Sequence, residues 1–176
     1  MKITYIAETS LTNKSAYTVH VLKMCDALSV KSNLTLLVPK NKTGYEELKK
    51  KFMLSSKNKF LIKSIINSSL KNFFFRLYFC YKVSKELSNN DQDLILTRSF
   101  LSSFFMSIAK INHILEIHSE FSGLTKFLMI NLNFINSEYI LKTIIISETL
   151  GKKLTYINKK KQLILHDAVN IENFKY

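Results

Sequence analysis

His113-Ile114-Leu115-Glu116-Ile117-His118-Ser119-Glu120 is the stretch of the sequence that decides the fold. Its β-branched and aliphatic residues follow a segment of helical pattern and lead into Ser, Phe and Gly, which is typical of a buried parallel strand that ends at a turn. Ligands of open α/β sheets bind beyond the carboxyl ends of the strands. His118 is therefore predicted to lie at a ligand-binding edge, where an imidazole can position, donate or accept a proton near neutral pH. The alternative is a histidine that is merely hydrogen-bonded at the end of a strand.

Predicted strands and helices alternate on both sides of this stretch. The other predicted strands cover 3–7, 34–38, 60–66, 93–97, 143–146 and 162–165, and the predicted helices cover 16–29, 43–53, 69–87, 99–110, 122–139 and 147–156. Several of the strands are apolar on both faces, as strands buried between two layers of helices are. The pattern predicts an α/β fold with a doubly wound parallel sheet, in a single domain over residues 1–176.

Two of the predicted helices carry specific expectations. Thr43 with Glu46 three residues later forms a capping-box pattern at the start of one helix. In the helix over 69–87, aromatic and apolar residues repeat at helical spacing and are expected to pack in the core. These residues are Phe73, Phe74, Leu77, Tyr78 and Tyr81.

Composition places the chain among globular proteins. Hydrophobic residues make up 47% of the 176 residues, with 3 glycines and 1 proline, which argues against disordered and fibrous classes. Cys25 and Cys80 show no metal-ligand spacing and are expected to be reduced thiols in the core of a cytoplasmic protein. The start of the chain does not have the pattern of a signal peptide, and the longest uncharged stretches fall short of the roughly 18 residues that span a bilayer.

The chain is strongly basic, with a formal net charge of +13. The segment between Lys40 and Lys63 holds eight lysines against two acids, Glu46 and Glu47, and could attract an anionic membrane surface. The alternative is a composition bias toward Lys, Asn and Ile without a role in binding. No nucleic-acid-binding motif is present, so nucleic acid is not expected as a partner. The expected location is the cytoplasm, at the inner face of the membrane if this segment binds lipid.

Polar side chains follow four of the predicted strands. They are Glu8-Thr9-Ser10, Thr97-Arg98-Ser99, Glu116 to Glu120 and Ser147-Glu148. Because the carboxyl ends of parallel strands meet at one edge of a sheet, these clusters are expected to form one crevice.

The loop from Glu8 to Ser15 is rich in hydroxyl and amide groups and precedes a helix, whose N-terminal N–H groups favour anions. It has no glycine and so matches neither the dinucleotide-binding pattern nor the P-loop. Its groups suit a sugar or a single phosphate better. The alternative is that Ser15 or Asn13 only caps the helix.

Five segments, in order and at similar spacing, resemble the N-terminal domain of family 4 type glycosyltransferases of the GT-B fold. They are 13–28 (NKSAYTVHVLKMCDAL), 94–99 (LILTRS), 116–119 (EIHS), 145–147 (IIS) and 165–170 (LHDAVN). The resemblance covers nearly the whole chain. It implies a Rossmann-like domain, one half of a GT-B fold, that forms the acceptor side of a cleft while a second such domain binds the nucleotide-sugar.

The resemblance also implies roles for individual residues. His118 would contact the sugar or the acceptor near the reaction centre as the catalytic residue. Thr9 and Ser10 would approach the donor phosphates, and Arg98 with Ser99 would line the acceptor side. The other residues expected in the cleft are Lys14, Ser15, Tyr17, Ser119, Glu120 and Ser147. The implied partners are a nucleotide-sugar co-substrate and a glycan or lipid-linked acceptor, with no tightly bound cofactor and no metal.

The sequence departs from the family in three places. The first loop lacks the usual glycine, and near the domain junction Ala168 and Asn170 stand where the family has Gly and Asp. The family's Glu-x7-Glu pair, which serves the donor, has no counterpart. A C-terminal donor-binding domain is therefore expected to be absent, and the chain to be inactive unless a separate donor-binding half is supplied.

Two other functions are open at this point. One is a non-catalytic module that binds a glycan or a membrane surface. The other, a free-standing flavodoxin-like or nucleotide-binding domain, is disfavoured because the chain has neither an acidic triad nor a glycine loop that cradles phosphates.

Overall fold

The computed structural model describes residues 1–54, 59–67, 72–89 and 93–166. Within this part of the chain, seven strands form one sheet in the order β3-β2-β1-β4-β5-β6-β7, and every neighbouring pair is parallel. The strands are β1 (Lys2–Ile6), β2 (Asn33–Val38), β3 (Leu61–Ser64), β4 (Leu94–Thr97), β5 (His113–Ile117), β6 (Ile140–Ile145) and β7 (Gln162–Ile164). The predicted fold class is confirmed.

Helices connect successive strands and cover both faces of the sheet. They are α1 (Ala16–Ser29), α2 (Tyr45–Phe52), α3 (Phe73–Ser88), α4 (Phe100–Ile108), α5 (Gly123–Lys126) and α6 (Glu148–Lys153). On one face, Tyr5 of β1 packs in a core cluster with Leu22 and Cys25 of α1. On the other face, Ile6 packs with Phe79 of α3 and Leu101 of α4, because successive residues of a strand point to opposite faces.

The strand order reverses between β1 and β4. The chain runs outward from β1 to β3, returns to place β4 beside β1, and then runs outward again to β7. In open α/β sheets, such a reversal opens a crevice beyond the carboxyl ends of the two strands, where ligands bind. Glu8 follows β1 and Arg98 follows β4, so both lie at this reversal.

Two helix predictions are wrong. The helix expected over 122–139 is only α5, followed by a π-helical turn over Phe127–Asn131 and a 3-10 turn over Phe134–Asn136. Asn133 between the two turns has φ 56°, a left-handed conformation that an α-helix cannot continue through. The residue that caps α2 is Gly44, with no side-chain bond, because Thr43 is held outside the helix by a backbone bond to Asn41 Oδ1.

The aromatic residues of the predicted α3 stripe face outward and not into the core, contrary to the prediction, whereas Leu77 packs against the core as predicted. Phe73, Phe74, Tyr78 and Tyr81 are exposed. The buried face of α3 lies on the other side of the helix and consists of Phe79, Cys80, Val83, Ser84 and Leu87. The helix is apolar on both sides, so its periodicity did not indicate which side packs on the sheet.

The described residues contain no helix with the length and apolar character needed to cross a bilayer. Cys25 and Cys80 are buried, unpaired thiols, as predicted. Burial raises the pKa of both thiols, so neither is suited to act as a nucleophile at neutral pH.

Candidate functional site

The strongest concentration of interacting polar groups lies where β1, β5 and α1 meet. Glu116 of β5 is 4% exposed and is the centre of this cluster. Its Oε2 accepts a hydrogen bond from the Tyr5 hydroxyl at 2.8 Å. Its Oε1 is bonded by Nε2 of His20 at 2.9 Å and by Nε2 of His118. The buried carboxylate is thus held by three side chains from three different elements.

The backbone explains why these side chains meet. Glu116 and His118 are two residues apart along an extended segment, so both point to the face of the sheet that α1 covers. His20 lies on α1 and Tyr5 points to the same face from β1. The rings of His20 and His118 lie 4.8 Å apart at an interplanar angle of 81°. The imidazoles are 21% and 18% exposed, so solvent reaches both rings.

The hydrogen bonds fix the protonation of the cluster. Burial alone would raise the pKa of Glu116, but the bonds from His118, His20 and Tyr5 outweigh it and hold the pKa well below its usual range. A carboxylate only accepts hydrogen bonds, so each imidazole carries a proton on Nε2. Nδ1 of His118, the ring nitrogen that does not bond the carboxylate, is therefore the nitrogen with which this ring can bind a ligand.

His20, Glu116 and His118 also have the chemistry of a metal-binding group. Each offers one ligand atom, and these atoms all lie within 4.8 Å of one another. Two imidazoles and a carboxylate suit Zn²⁺ and similar ions. In the structure the Glu116 carboxylate already accepts three hydrogen bonds, so protein side chains alone satisfy it.

Arg98 and Tyr17 form a second feature of the same edge. The guanidinium carbon of Arg98 lies 4.5 Å from the centre of the Tyr17 ring. Burial raises the pKa of Tyr17, and the nearby Arg98 charge only partly opposes this effect. Among the described residues, Nη1 of Arg98 is buried and has no hydrogen-bond partner. A buried cationic donor without a partner is costly, and an anionic ligand would satisfy it.

Glu8 links the first loop to α3 and α4. Its Oε2 accepts a bond from Nε of Arg76 at 2.7 Å, and its Oε1 accepts one from the Ser99 hydroxyl. Ser99 also caps α4, since its Oγ accepts from the Ser102 N–H at 2.9 Å. The predicted meeting of the loops after β1 and β4 is thus observed, while the hydroxyl of Ser99 is occupied by protein partners.

The other predicted residues of the first loop divide into two groups. Thr9 is buried and its Oγ1 lies 2.7 Å from that of Thr18, and Ser15 caps α1 by accepting from the Thr18 N–H at 3.2 Å. Ser10 and Lys14 are exposed. The capping alternative holds for Ser15, whereas Ser10 and Lys14 present their side chains to solvent.

The residues predicted near β5 and β6 lie at the margin. Ser119 and Glu120 are exposed, and Glu120 pairs with Lys153 at 2.9 Å. Ser147 caps α6 by accepting from the Leu150 N–H at 3.2 Å. The junction positions Ala168 and Asn170 lie outside the described residues.

Sequence reasoning missed His20, Arg76 and Tyr5 as contributors to this edge. His20 and Arg76 lie within helices and not in the segments that directly follow a strand in the sequence, and Tyr5 belongs to an apolar strand. The carboxylates that they bind, Glu8 and Glu116, were both in predicted strand-end clusters. Such carboxylates need donors once buried, and this is the signal that could have prompted a search for partners.

The fold is similar to that of three solved proteins of low sequence identity. A glycosyltransferase from Rickettsia africae matches with TM-score 0.64 and 18% identity over 98% of this chain and 44% of its own. The lipopolysaccharide outer core galactosyltransferase WaaB in its apo form matches with TM-score 0.61 and 12% identity over 97% and 47%. A UDP-N-acetylglucosamine 2-epimerase from Rickettsia bellii matches with TM-score 0.59 and 16% identity over 93% and 44%.

The chain matches no protein-family profile and no curated protein sequence. It spans less than half the length of the three solved chains. At these identities the likeness concerns the fold. The chain is therefore a Rossmann-like α/β domain that corresponds to one half of a GT-B fold.

Proposed function

We propose that this chain is the acceptor-side half of a glycosyltransferase, with His118 in the active-site cleft. It would move a sugar from a nucleotide-sugar to a glycan or lipid-linked acceptor when a donor-binding half is present. The observation that carries the proposal is that the Glu116 carboxylate holds the ring of His118 at the ligand-binding edge of the sheet. At the same edge, Nη1 of Arg98 is buried and has no hydrogen-bond partner among the described residues. The similarity of the fold to two glycosyltransferases supports it.

The chemistry of sugar transfer matches these groups. The bond from the sugar C1 to the diphosphate breaks, the acceptor oxygen bonds to C1, and the acceptor hydroxyl passes its proton to Nδ1 of His118. Negative charge develops on the departing diphosphate, and preorganised N–H and cationic groups at this sheet edge stabilise it. Glu116 fixes the ring of His118, so that Nδ1 can hydrogen-bond the sugar or the acceptor hydroxyl.

Reconstitution tests the proposal. The chain is combined with a donor-binding half, from the reading frame that follows it or from a related GT-B enzyme, and release of nucleoside diphosphate is measured over a panel of nucleotide-sugars and acceptors. We expect His118→Ala to lower the rate about 100-fold or more, the usual contribution of a positioned acid or base. Asn112→Ala, exposed just before the opposite end of β5, should leave the rate unchanged.

Two outcomes would contradict the proposal. One is the absence of transfer with every donor half and acceptor, and the other is transfer that His118→Ala does not alter while circular dichroism shows the variant folded.

A non-catalytic module that binds a membrane surface is the second candidate, and the outward aromatic residues of α3 favour it. In both cases we expect a cytoplasmic protein, which the two unpaired thiols support.

A further inference from the structure

The outward side of α3 carries an exposed group of aromatic residues. Phe74 is 77% exposed, Tyr78 48% and Tyr81 49%. These three residues are spaced at i, i+4 and i+7 and form one stripe along the helix. Phe73 and Phe75, 40% and 39% exposed, widen the stripe at the start of the helix. We call these five residues the aromatic face.

The fold does not require the aromatic face. The opposite side of α3 is already buried against the sheet and α4 through Phe79, Cys80 and Val83. Isolated exposed apolar residues are common, but several contiguous aromatic side chains on one helix indicate a surface that another apolar phase covers. A helix that is apolar on two sides packs one side on the sheet and leaves the second side for a partner.

The charges around the aromatic face are positive. Nζ of Lys82 lies 5.5 Å from the centre of the Tyr78 ring, and Lys85 is exposed one turn beyond Tyr81. The acid within α3, Glu86, is paired with Lys63 at 2.5 Å. Aromatic side chains with lysines beside them and no unpaired acid within α3 suit the interface of an anionic bilayer, where phenol rings lie among the headgroups and lysines are attracted to the lipid charge.

The aromatic face adjoins the candidate site. α3 begins at the edge of the sheet where the strands end, and Arg76 in its first turn bonds to Glu8 of the first loop. A bilayer in contact with Phe74 and Tyr78 would therefore lie beside the cleft. A substrate that is anchored in lipid could then reach the site without leaving the membrane.

We propose that the aromatic face of α3 docks this domain on an anionic lipid bilayer. Phe73, Phe74 and Phe75 enter the boundary between headgroups and acyl chains, and Tyr78, Lys82 and Lys85 stay among the headgroups. This inference rests on the second candidate function and gives it a surface, and it is independent of sugar transfer, since binding to lipid requires no donor half. It places the membrane contact on α3, and not on the lysine-rich segment between Lys40 and Lys63.

Vesicle flotation tests the docking surface. The chain is mixed with vesicles of phosphatidylcholine alone or of phosphatidylcholine with phosphatidylglycerol, and the bound fraction is measured at low and high salt. We expect the chain to bind the anionic vesicles, and binding to weaken with salt without being abolished, because salt screens the lysines but not the aromatic contact. The double variant Phe74→Ser/Tyr78→Ser should lower the partition coefficient at least about 10-fold.

Matched variants separate the competing surfaces. Phe127→Ser removes an aromatic residue that is 51% exposed elsewhere and should leave binding unchanged. Lys49→Gln/Lys50→Gln/Lys51→Gln should lower binding less than the α3 double variant does. The inference is overturned if the wild type binds no vesicles, or if the lysine triple variant abolishes binding while the α3 variant retains it. Self-association that the α3 variant reverses, without vesicle binding, would assign the face to a second copy and also overturn it.

Discussion

Acidification from pH 7 to pH 4 is expected to lower the free energy of unfolding by about 3 kcal/mol through His113 alone. His113 is fully buried at the start of β5. Its Nδ1 donates to the Ile111 carbonyl at 2.8 Å, and its Nε2 accepts from the Ser103 hydroxyl at 2.7 Å. The neutral imidazole satisfies both partners, and burial disfavours the charge that a second ring proton would add.

The direction of the effect follows from the pKa of His113. Burial lowers this pKa from 6.5 to about 4, and the bond to the Ile111 carbonyl only partly opposes the shift. The unfolded chain therefore binds a proton that the folded chain excludes. The stability is complete above pH 6.5 and is lost progressively as the pH falls toward 4.

Urea unfolding of the wild type and of His113→Gln over this pH range measures the effect. Other titrating groups contribute equally to both chains, so the difference between the two curves isolates His113. We expect the advantage of the wild type to shrink by about 3 kcal/mol between pH 7 and pH 4. A difference that stays constant over this range would show that the folded and unfolded chains bind the His113 proton equally, and would contradict this account.

Glu116→Gln is expected to lower the free energy of unfolding by about 3 kcal/mol at pH 7. The substitution keeps the shape of the side chain but removes the charge that Tyr5, His20 and His118 bind. Hydrogen bonds to a charged group contribute roughly 1.5–3 kcal/mol, and a buried donor left without an acceptor costs a similar amount. In the proposed enzyme, the same change would free the ring of His118 and lower the transfer rate.

A double-mutant cycle with Tyr5→Phe tests the assignment at pH 7. We expect a coupling free energy of about 1–2 kcal/mol between Tyr5 and Glu116, since the hydroxyl and the carboxylate are in contact. Because the pKa of Glu116 is lowered in the fold, its stabilisation is present above 4.5 and lost as the pH falls below that value. Additive single variants, or a wild-type advantage that does not change below pH 4.5, would contradict this account.

The sheet edge was predictable because it depends on local pattern and chain topology. Each strand is a short apolar run, and the rule that parallel strands end at one edge brings the clusters after β1, β4 and β5 together. The bond between Ser99 and Glu8 confirms part of that convergence. The role of His118 in catalysis stays a prediction.

The partners of the buried carboxylates were not predictable from pattern. Tyr5 and His20 lie 111 and 96 residues from Glu116 along the chain. Their contacts depend on how α1 rotates and crosses the sheet, and a single sequence does not encode this rotation in any local motif. Other expected site residues proved to be structural. The hydroxyl groups of Thr9, Ser15 and Ser147 were expected in the cleft, but they cap helices or bond to another side chain.

The sequence by itself determined the doubly wound parallel sheet in a single domain and the edge that holds Glu8, Arg98 and His118, because hydrophobic periodicity is a local property. The tertiary structure alone decided that Glu116 is the centre of the site. It also decided that the aromatic face of α3 points outward. The physical reason is the same for both: a buried charge and a two-sided apolar helix each have several possible partners, and only the packing of distant segments selects one.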